Sequence, residues 1–430
     1  KSATATGYAV DNSCRFNDGD GAYLYRTSTG SDNTGTLSMW VKRSTLGTTQ
    51  YLMHVQNATD NTDYGVLNFT TDDTIELMLA TNGSGSMQLI TDREFKDPSA
   101  WYHFLFVIDT DNATANYRMR IYVNGVEETS FSTDNRTNTG ITNWFFNPSD
   151  TNKFCLAGNI AGASTFDGYI SQIACCIGTA YTPSDFGEFD EDSPTIWKPK
   201  DFSGDVTFGS EGFYLDFADS GDLGDDESGN TKDFTEGSLD ATDQATDTPT
   251  NNFCTLNPLD NNLVIGTLSQ GNCKFTGSGY PTVYSTQAVT TGNWYMEVKV
   301  PTAAGFMIGV SGGYPNDTAF GVGLYDWAFH ADGDIWNNNA NSSYGSAPSD
   351  DDILGFALDV DNSAMYVAIN NTWQDSGDPT SGASKTGAVA ITAVGSTTLG
   401  VYHFVVGDYS GSTPIMEADF GGCPAFTVSS

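Results

Sequence analysis

Glu188-Phe189-Asp190-Glu191-Asp192-Ser193 sets carboxylates at alternate positions, the spacing that brings acidic side chains to one face of a strand. Two carboxylates about 5 Å apart across a sugar linkage would support retaining glycoside hydrolysis. The run follows the last strand signal of its half and lies outside any buried cleft, so a solvated acidic turn is the stronger reading. Four histidines are available for proton transfer. His103 and His403 sit inside apolar strand runs, His54 flanks one, and His330 lies near a loop, which favours structural roles. The chain contains no phosphate loop. For a metal, the oxygen-rich turn from Asp222 to Asn230 groups Asp222, Asp225, Asp226 and Asn230, a donor set that suits calcium. Asn17-Asp18-Gly19-Asp20 is a second such cluster. For recognition, Tyr325, Trp327, Trp336, Tyr344 and Trp373 crowd one polar stretch. Sugar sites use exposed aromatic rings flanked by polar groups. Trp336 and Trp373 are expected in the core, whereas Tyr325, Trp327 and Tyr344 are the candidate ligand-binding residues, with Trp327 and Tyr344 expected to be exposed.

These residues must be held by strands. Tyr102 to Ile108 is an apolar run of strand length, and Tyr117, Met119, Ile121 and Val123 alternate with Arg118, Arg120 and Tyr122. Asn124-Gly125 then supplies the positive φ angles of a tight primed hairpin turn. Similar signals recur about every ten residues from Arg15 to Ile173, which is a sandwich pattern. A second series runs from Trp294 to Val406. No run of 3.6-residue apolar period appears. The fold expected is all-β: two tandem antiparallel β-sandwiches joined by an acidic bridging segment. The expected domains are residues 1–200, a bridge over 201–260 packed through Phe213, Leu215 and Phe217, and residues 261–430.

The 430 residues carry 54 acidic and 17 basic side chains, a net charge of −37. Such a surface repels nucleic acid and anionic membranes, so neither is expected as a partner. It suits either a protein kept soluble at high salt or acidic loops that bind cations loosely. No apolar span of membrane length occurs. Seven scattered cysteines do not form a disulfide framework. Cys175 and Cys176 are expected on opposite faces of a strand, and Cys254–Cys273 is the one pair worth testing for a bond.

The first half resembles laminin-G-like, concanavalin A-type lectin/glucanase domains. Trp40 in Ser-Met-Trp-Val, Trp101-Tyr102-His103, Tyr122-Val123-Asn124-Gly125 and Phe166-Asp167-Gly168-Tyr169-Ile170 carry the resemblance in the right order. The glucanases of that group ask for Glu, Asp and Glu at positions one, three and six of their motif; here the last is Ser193. Asp226-Glu227-Ser228-Gly229-Asn230 is similar to a string found near calcium in laminin-G-like domains. The second half resembles a SPRY domain through Tyr295-Met296-Glu297-Val298, Gly305 to Val310, and Gly355 to Asp361; Asn370-Asn371 stands where that family usually has Asn-Gly. The whole layout, with Trp197-Lys198-Pro199-Lys200 and the stretch Asp247 to Pro258 between the halves, resembles surface or fibre proteins of marine tailed phages.

The resemblance implies a non-catalytic virion surface protein, a fibre or appendage, that binds a host-surface glycan or receptor. It would be assembled in the host cytoplasm, contact other virion proteins and itself, with a trimer favoured, and carry at most calcium. The alternatives are a capsid decoration or filament subunit that binds only itself and the virion, and a secreted carbohydrate-active enzyme.

Overall fold

The computed structural model describes residues 7–27, 29–30, 32–57, 62–82, 85–146, 152–262, 266–314, 319–409 and 411–422. These residues form strands and three-residue 3₁₀ turns, and no helix among them is long and apolar enough to cross a membrane. The chain is all-β and divides into two compact units, Lys1–Asn252 and Phe253–Ser430.

The first unit is a sandwich of two antiparallel sheets. One runs Val126–Glu127, Met119–Val123, Tyr102–Asp109, Thr34–Arg43, Gly168–Ile177, Ser13–Phe16 and Gln244–Ala245, with Phe213–Leu215 also pairing Gly168–Ile177. The other runs Phe131–Asn135, Gly85–Glu94, Thr74–Thr81, Tyr64–Phe69, Gln50–Asn57, Asn152–Leu156, Tyr23–Thr27 and Thr235–Gly237. Alternation decides what is buried: Met119, Ile121 and Val123 enter the core while Arg120 and Tyr122 face away. The hairpin after them turns on Asn124 (φ 49°) and Gly125 (φ 80°), as a type I′ turn requires. A Cβ on Gly125 would lie 2.4 Å from the Trp197 ring, so glycine is needed there for space as well as for φ. Cys175 enters the main core, and Cys176 joins a second cluster on the outer face of the sheet with Leu105, Val107, Phe186 and Phe202.

Residues 201–252 belong to this first unit and do not stand apart as a bridge. Phe213–Leu215, Thr235–Gly237 and Gln244–Ala245 extend its two sheets. The acidic stretch is also fastened by buried charge. Arg15 meets Asp243 at 3.0 Å, and Lys42 meets Asp247 at 2.6 Å, where both side chains are 1% exposed. The Trp101 indole donates to the second Asp247 oxygen at 2.9 Å. Thr235–Gly237 and Gln244–Ala245 are too short to announce themselves by period, because two or three residues define no alternation.

The second unit is another two-sheet sandwich. Its sheets run Leu256–Asn262, Thr282–Val289, Tyr402–Asp408, Phe306–Ser311, Asp326–His330, Asp334–Asn337, Ala340–Ser343, and Thr267–Ser269, Lys274–Thr276, Ile415–Asp419, Asn293–Thr302, Asp352–Asp359, Ala364–Ile369, Thr372–Trp373. Val389–Ala390 also pairs with Ala364–Ile369. Met296, Val298, Phe329, Phe356, Val367 and Val406 fill the space between the sheets. Cys254 and Cys273 are thiols and not a bridge: the Cys254 sulfur accepts from the Thr286 hydroxyl at 3.6 Å, and Cys273 faces the Gly271 carbonyl.

Candidate functional site

At the end of the second sandwich the two sheets part to form a cleft of about 430 Å³. One wall is the hairpin Asp334–Asn337 and Ala340–Ser343, which turns on Asn338 and Asn339 at φ 51° and 58°. The left-handed conformation of both residues suits asparagine, whose short side chain tolerates it. The other wall is Ala388, Val389 and Ala390 of the facing sheet. Trp327 and Ile335 make the apolar floor, and Asn341, Ser342 and Tyr344 the more polar rim. Tyr344 ties the walls together by donating its hydroxyl to the Gly387 carbonyl at 2.9 Å, and burial pushes its phenol up to about 12. Asn337 spends both amide hydrogens on the carbonyls of Leu324 and Asp326. Asn341 donates to Asp334 at 2.6 Å. The lining contains no carboxylate, imidazole or thiol. Its chemistry is that of contact: a small apolar floor edged with amide and hydroxyl groups.

The structure therefore brings together two of the three expected recognition residues. Tyr325 is half-buried against the core and does not line the cleft. Trp327 is not an exposed platform: it is 6% exposed and packed in the core against Tyr402, with ring centroids 6.0 Å apart. Its flanking polar residues suggested a loop, yet strand Asp326–His330 turns the ring inward and leaves only its edge to the cleft. Trp336 and Trp373, expected in the core, lie half-buried outside it. Trp336 packs on Tyr409 and His330, and Trp373 beside Tyr295 and Tyr366. The cleft residues Asn341, Ser342 and Val389 gave no signal in the sequence, because they come from a short edge hairpin and a two-residue strand.

The other groupings are structural in geometry. Glu188 and Asp190 both face Lys198, at 3.4 and 3.5 Å, across a two-stranded ribbon, and Asp190 also accepts from the Asp192 and Ser193 amides. His103 lies between Ser38 and Trp197: Nε2 is 2.9 Å from the Ser38 hydroxyl, and Nδ1 accepts from the Trp197 indole at 3.0 Å. Indole only donates, so Nδ1 is bare and Nε2 carries the proton, which it gives to Ser38. A base that would activate Ser38 needs the reverse tautomer. Burial also pushes His103 down to about 3, so it stays neutral.

At the turn from Asp222 to Asn230, Asp226 is buried and its two oxygens accept from Tyr214 N, Ser228 N, Ser228 Oγ and Lys232 N. Four donors fill the four acceptor positions of a carboxylate. Asn230 turns its amide hydrogens to the carbonyls of Gly209 and Gly212. Asp222 accepts from Gly224 N, and the Asp225 carboxyl is raised by partial burial and by the charges of Asp233, Asp222 and Asp219. A calcium ion using Asp226 would have to displace these N–H groups. Among the described residues no group of three or more His, Cys, Asp or Glu is placed to hold a metal. In the other oxygen-rich cluster, Asn17 donates to Asp20 at 2.6 Å.

Residues 16–176 match the family model of the concanavalin A-like lectin/glucanases superfamily. Among solved structures, the SPRY domain of human HERC1 is similar at 14% identity and a TM-score of 0.30, with 39% of this chain and 98% of that one covered. Stonustoxin is similar at 16% identity and a TM-score of 0.30, with 39% of this chain and 27% of that one covered. No curated protein matches the chain.

Proposed function

We propose that the chain is a non-catalytic binding protein of a bacteriophage virion surface, a fibre or appendage component that holds a host-surface glycan or receptor in the cleft of its second unit. The observation that carries the binding role is the cleft lining: an apolar floor, an amide and hydroxyl rim, and no group in it that transfers a proton at neutral pH. The matched lectin/glucanase superfamily over residues 16–176 is compatible with binding. The virion assignment rests on the order of motifs along the chain, from Trp40 through Trp197-Lys198-Pro199-Lys200 to Gly355. Many copies on one particle would make weak single sites sufficient through avidity.

A glycan array probed with the purified chain tests this reading. Ser342→Trp fills the cleft from an exposed strand and should abolish the signal from neutral glycans without lowering the melting temperature. Neutral-glycan signal that survives the substitution would overturn the cleft as the site.

A second reading, a decoration or filament subunit, is favoured by strand Ala340–Ser343. It is a fully exposed sheet edge without a charged residue or proline, the kind of edge that pairs with another chain. Light scattering separates the two: polymer without glycan signal supports the subunit.

A further inference from the structure

The first unit buries a cation that has no anion. Arg26, on strand Tyr23–Thr27, is 8% exposed, and its guanidinium lies 5.8, 5.3 and 5.2 Å from the ring centres of Phe154, Phe213 and Phe234. Nη2 donates to the Glu211 carbonyl at 2.8 Å, while Nε is buried without a partner. Among the described residues no carboxylate forms an ion pair with it, although Arg15, Lys42, Arg43 and Lys232 all have one. Burial lowers the Arg26 pKa, opposed by longer-range interactions with Cys175, Glu211, Asp226 and Asp233. A buried charge is tolerable when it is paired. Arg118, a second buried arginine without an ion pair, gives its N–H groups to four backbone carbonyls, whereas Arg26 gives Nη2 to one.

Arg26 lines a cavity of about 540 Å³ at the sheet edge where pairing with Thr235–Gly237 ends. Lys153 and Lys232 line it too. Lys153 stands 5.1 Å above the Tyr25 ring, and Lys232 is held at 2.8 Å by Glu211. Glu211 and Asp233 are the lining acids, so bases outnumber acids here, the reverse of the chain as a whole. Thr27, Thr29, Thr231 and Thr235 add hydroxyl groups.

We propose that this cavity is a second binding site that takes the acidic group of a saccharide, a uronate carboxylate or a sulfate ester. The anion meets the exposed end of Arg26 between Lys153 and Lys232, and the threonines hydrogen-bond to ring hydroxyls. Planar or tetrahedral oxyanions are what a guanidinium recognises best. The surrounding negative field turns away long polyanions such as nucleic acid, which leaves an isolated anionic group on a neutral polyhydroxy frame. The site lies within the first unit and does not depend on the cleft of the second, so either can fail alone.

Calorimetric titration of the full chain carrying Ser342→Trp, which closes the cleft of the second unit, tests it with four probes: a glucuronate-containing oligosaccharide, a sulfated oligosaccharide of equal length, the neutral oligosaccharide, and inorganic sulfate. One acidic oligosaccharide should bind and weaken with salt, and which of the two binds names the anion. Arg26→Met and Lys232→Gln should each weaken it by about tenfold or more, the loss of a charge-assisted hydrogen bond. Lys232 lies outside the strands and is half-buried, so Lys232→Gln keeps the test sound if Arg26→Met does not fold. Absence of binding by both acidic probes, equal binding of the neutral probe, equal binding of inorganic sulfate alone, or indifference to Lys232→Gln would overturn the proposal.

Discussion

Asp167 shows how a single buried group sets a pH dependence. Its carboxyl is 2% exposed, accepts from the Thr45 hydroxyl, and leaves Oδ1 buried without a partner. Burial pushes its pKa from 3.8 up to about 7. The folded state therefore keeps a proton that the unfolded chain releases near pH 4. This contribution is full at low pH, declines as pH rises, and becomes a constant cost above about 7. Asp167→Asn should remove that cost. Calorimetric melting should show a gain of several degrees at pH 8 and of about 1 °C or less near pH 4. At this scale the sequence is least legible. Asp167 reads only as one residue of the Phe-Asp-Gly-Tyr-Ile motif, and neither its burial nor the bare Arg26 has any local signal. Likewise, the polar neighbours of Trp327 gave the wrong exposure, because burial depends on which distant strand lies opposite.

Elements were far more legible, because period and turn chemistry are local. The Asn124-Gly125 hairpin formed where its residues place it, and alternation sorted Met119, Ile121 and Val123 to the core. The second unit uses the same device with asparagine: Asn370 and Asn371 adopt φ 47° and 63° between Ala364–Ile369 and Thr372–Trp373. Glycine holds such angles without a steric penalty. Asn371→Gly should stabilise this hairpin by about 0.5–1 kcal/mol, enough to raise the melting temperature of the second unit by about 2–4 °C. A fall instead would show that the asparagine side chain contributes more than its conformation costs. The elements that escaped reading are Thr235–Gly237 and Gln244–Ala245, whose partners lie far away in the chain.

For the whole molecule, two cores were legible from two series of strand signals, but the border between them was not. A boundary near residue 200 follows from composition, since the acidic stretch after it looks loose. In the structure Arg15 and Lys42 hold that stretch by buried ion pairs. Removing one partner of such a pair costs about 3–5 kcal/mol. A chain ending at residue 200 should thus fail to melt cooperatively and bind hydrophobic dyes, whereas one ending at residue 252 should melt in a single transition. Equal behaviour of the two fragments would refute the accounting given for residues 201–252.

The pairing of Ser13 with Ala245 also bears on synthesis. The two positions are 232 residues apart, and the early strand Tyr23–Thr27 likewise meets Thr235–Gly237. At translation speeds of about 5–20 residues per second, the first strands leave the ribosome roughly 10–50 s before the last ones that complete their sheets. Through that interval the nascent polypeptide presents two open edges, and the Asp247 partner of Lys42 has yet to be made. Its maturation is therefore timed by elongation, and it is during this wait that chaperones have something to hold.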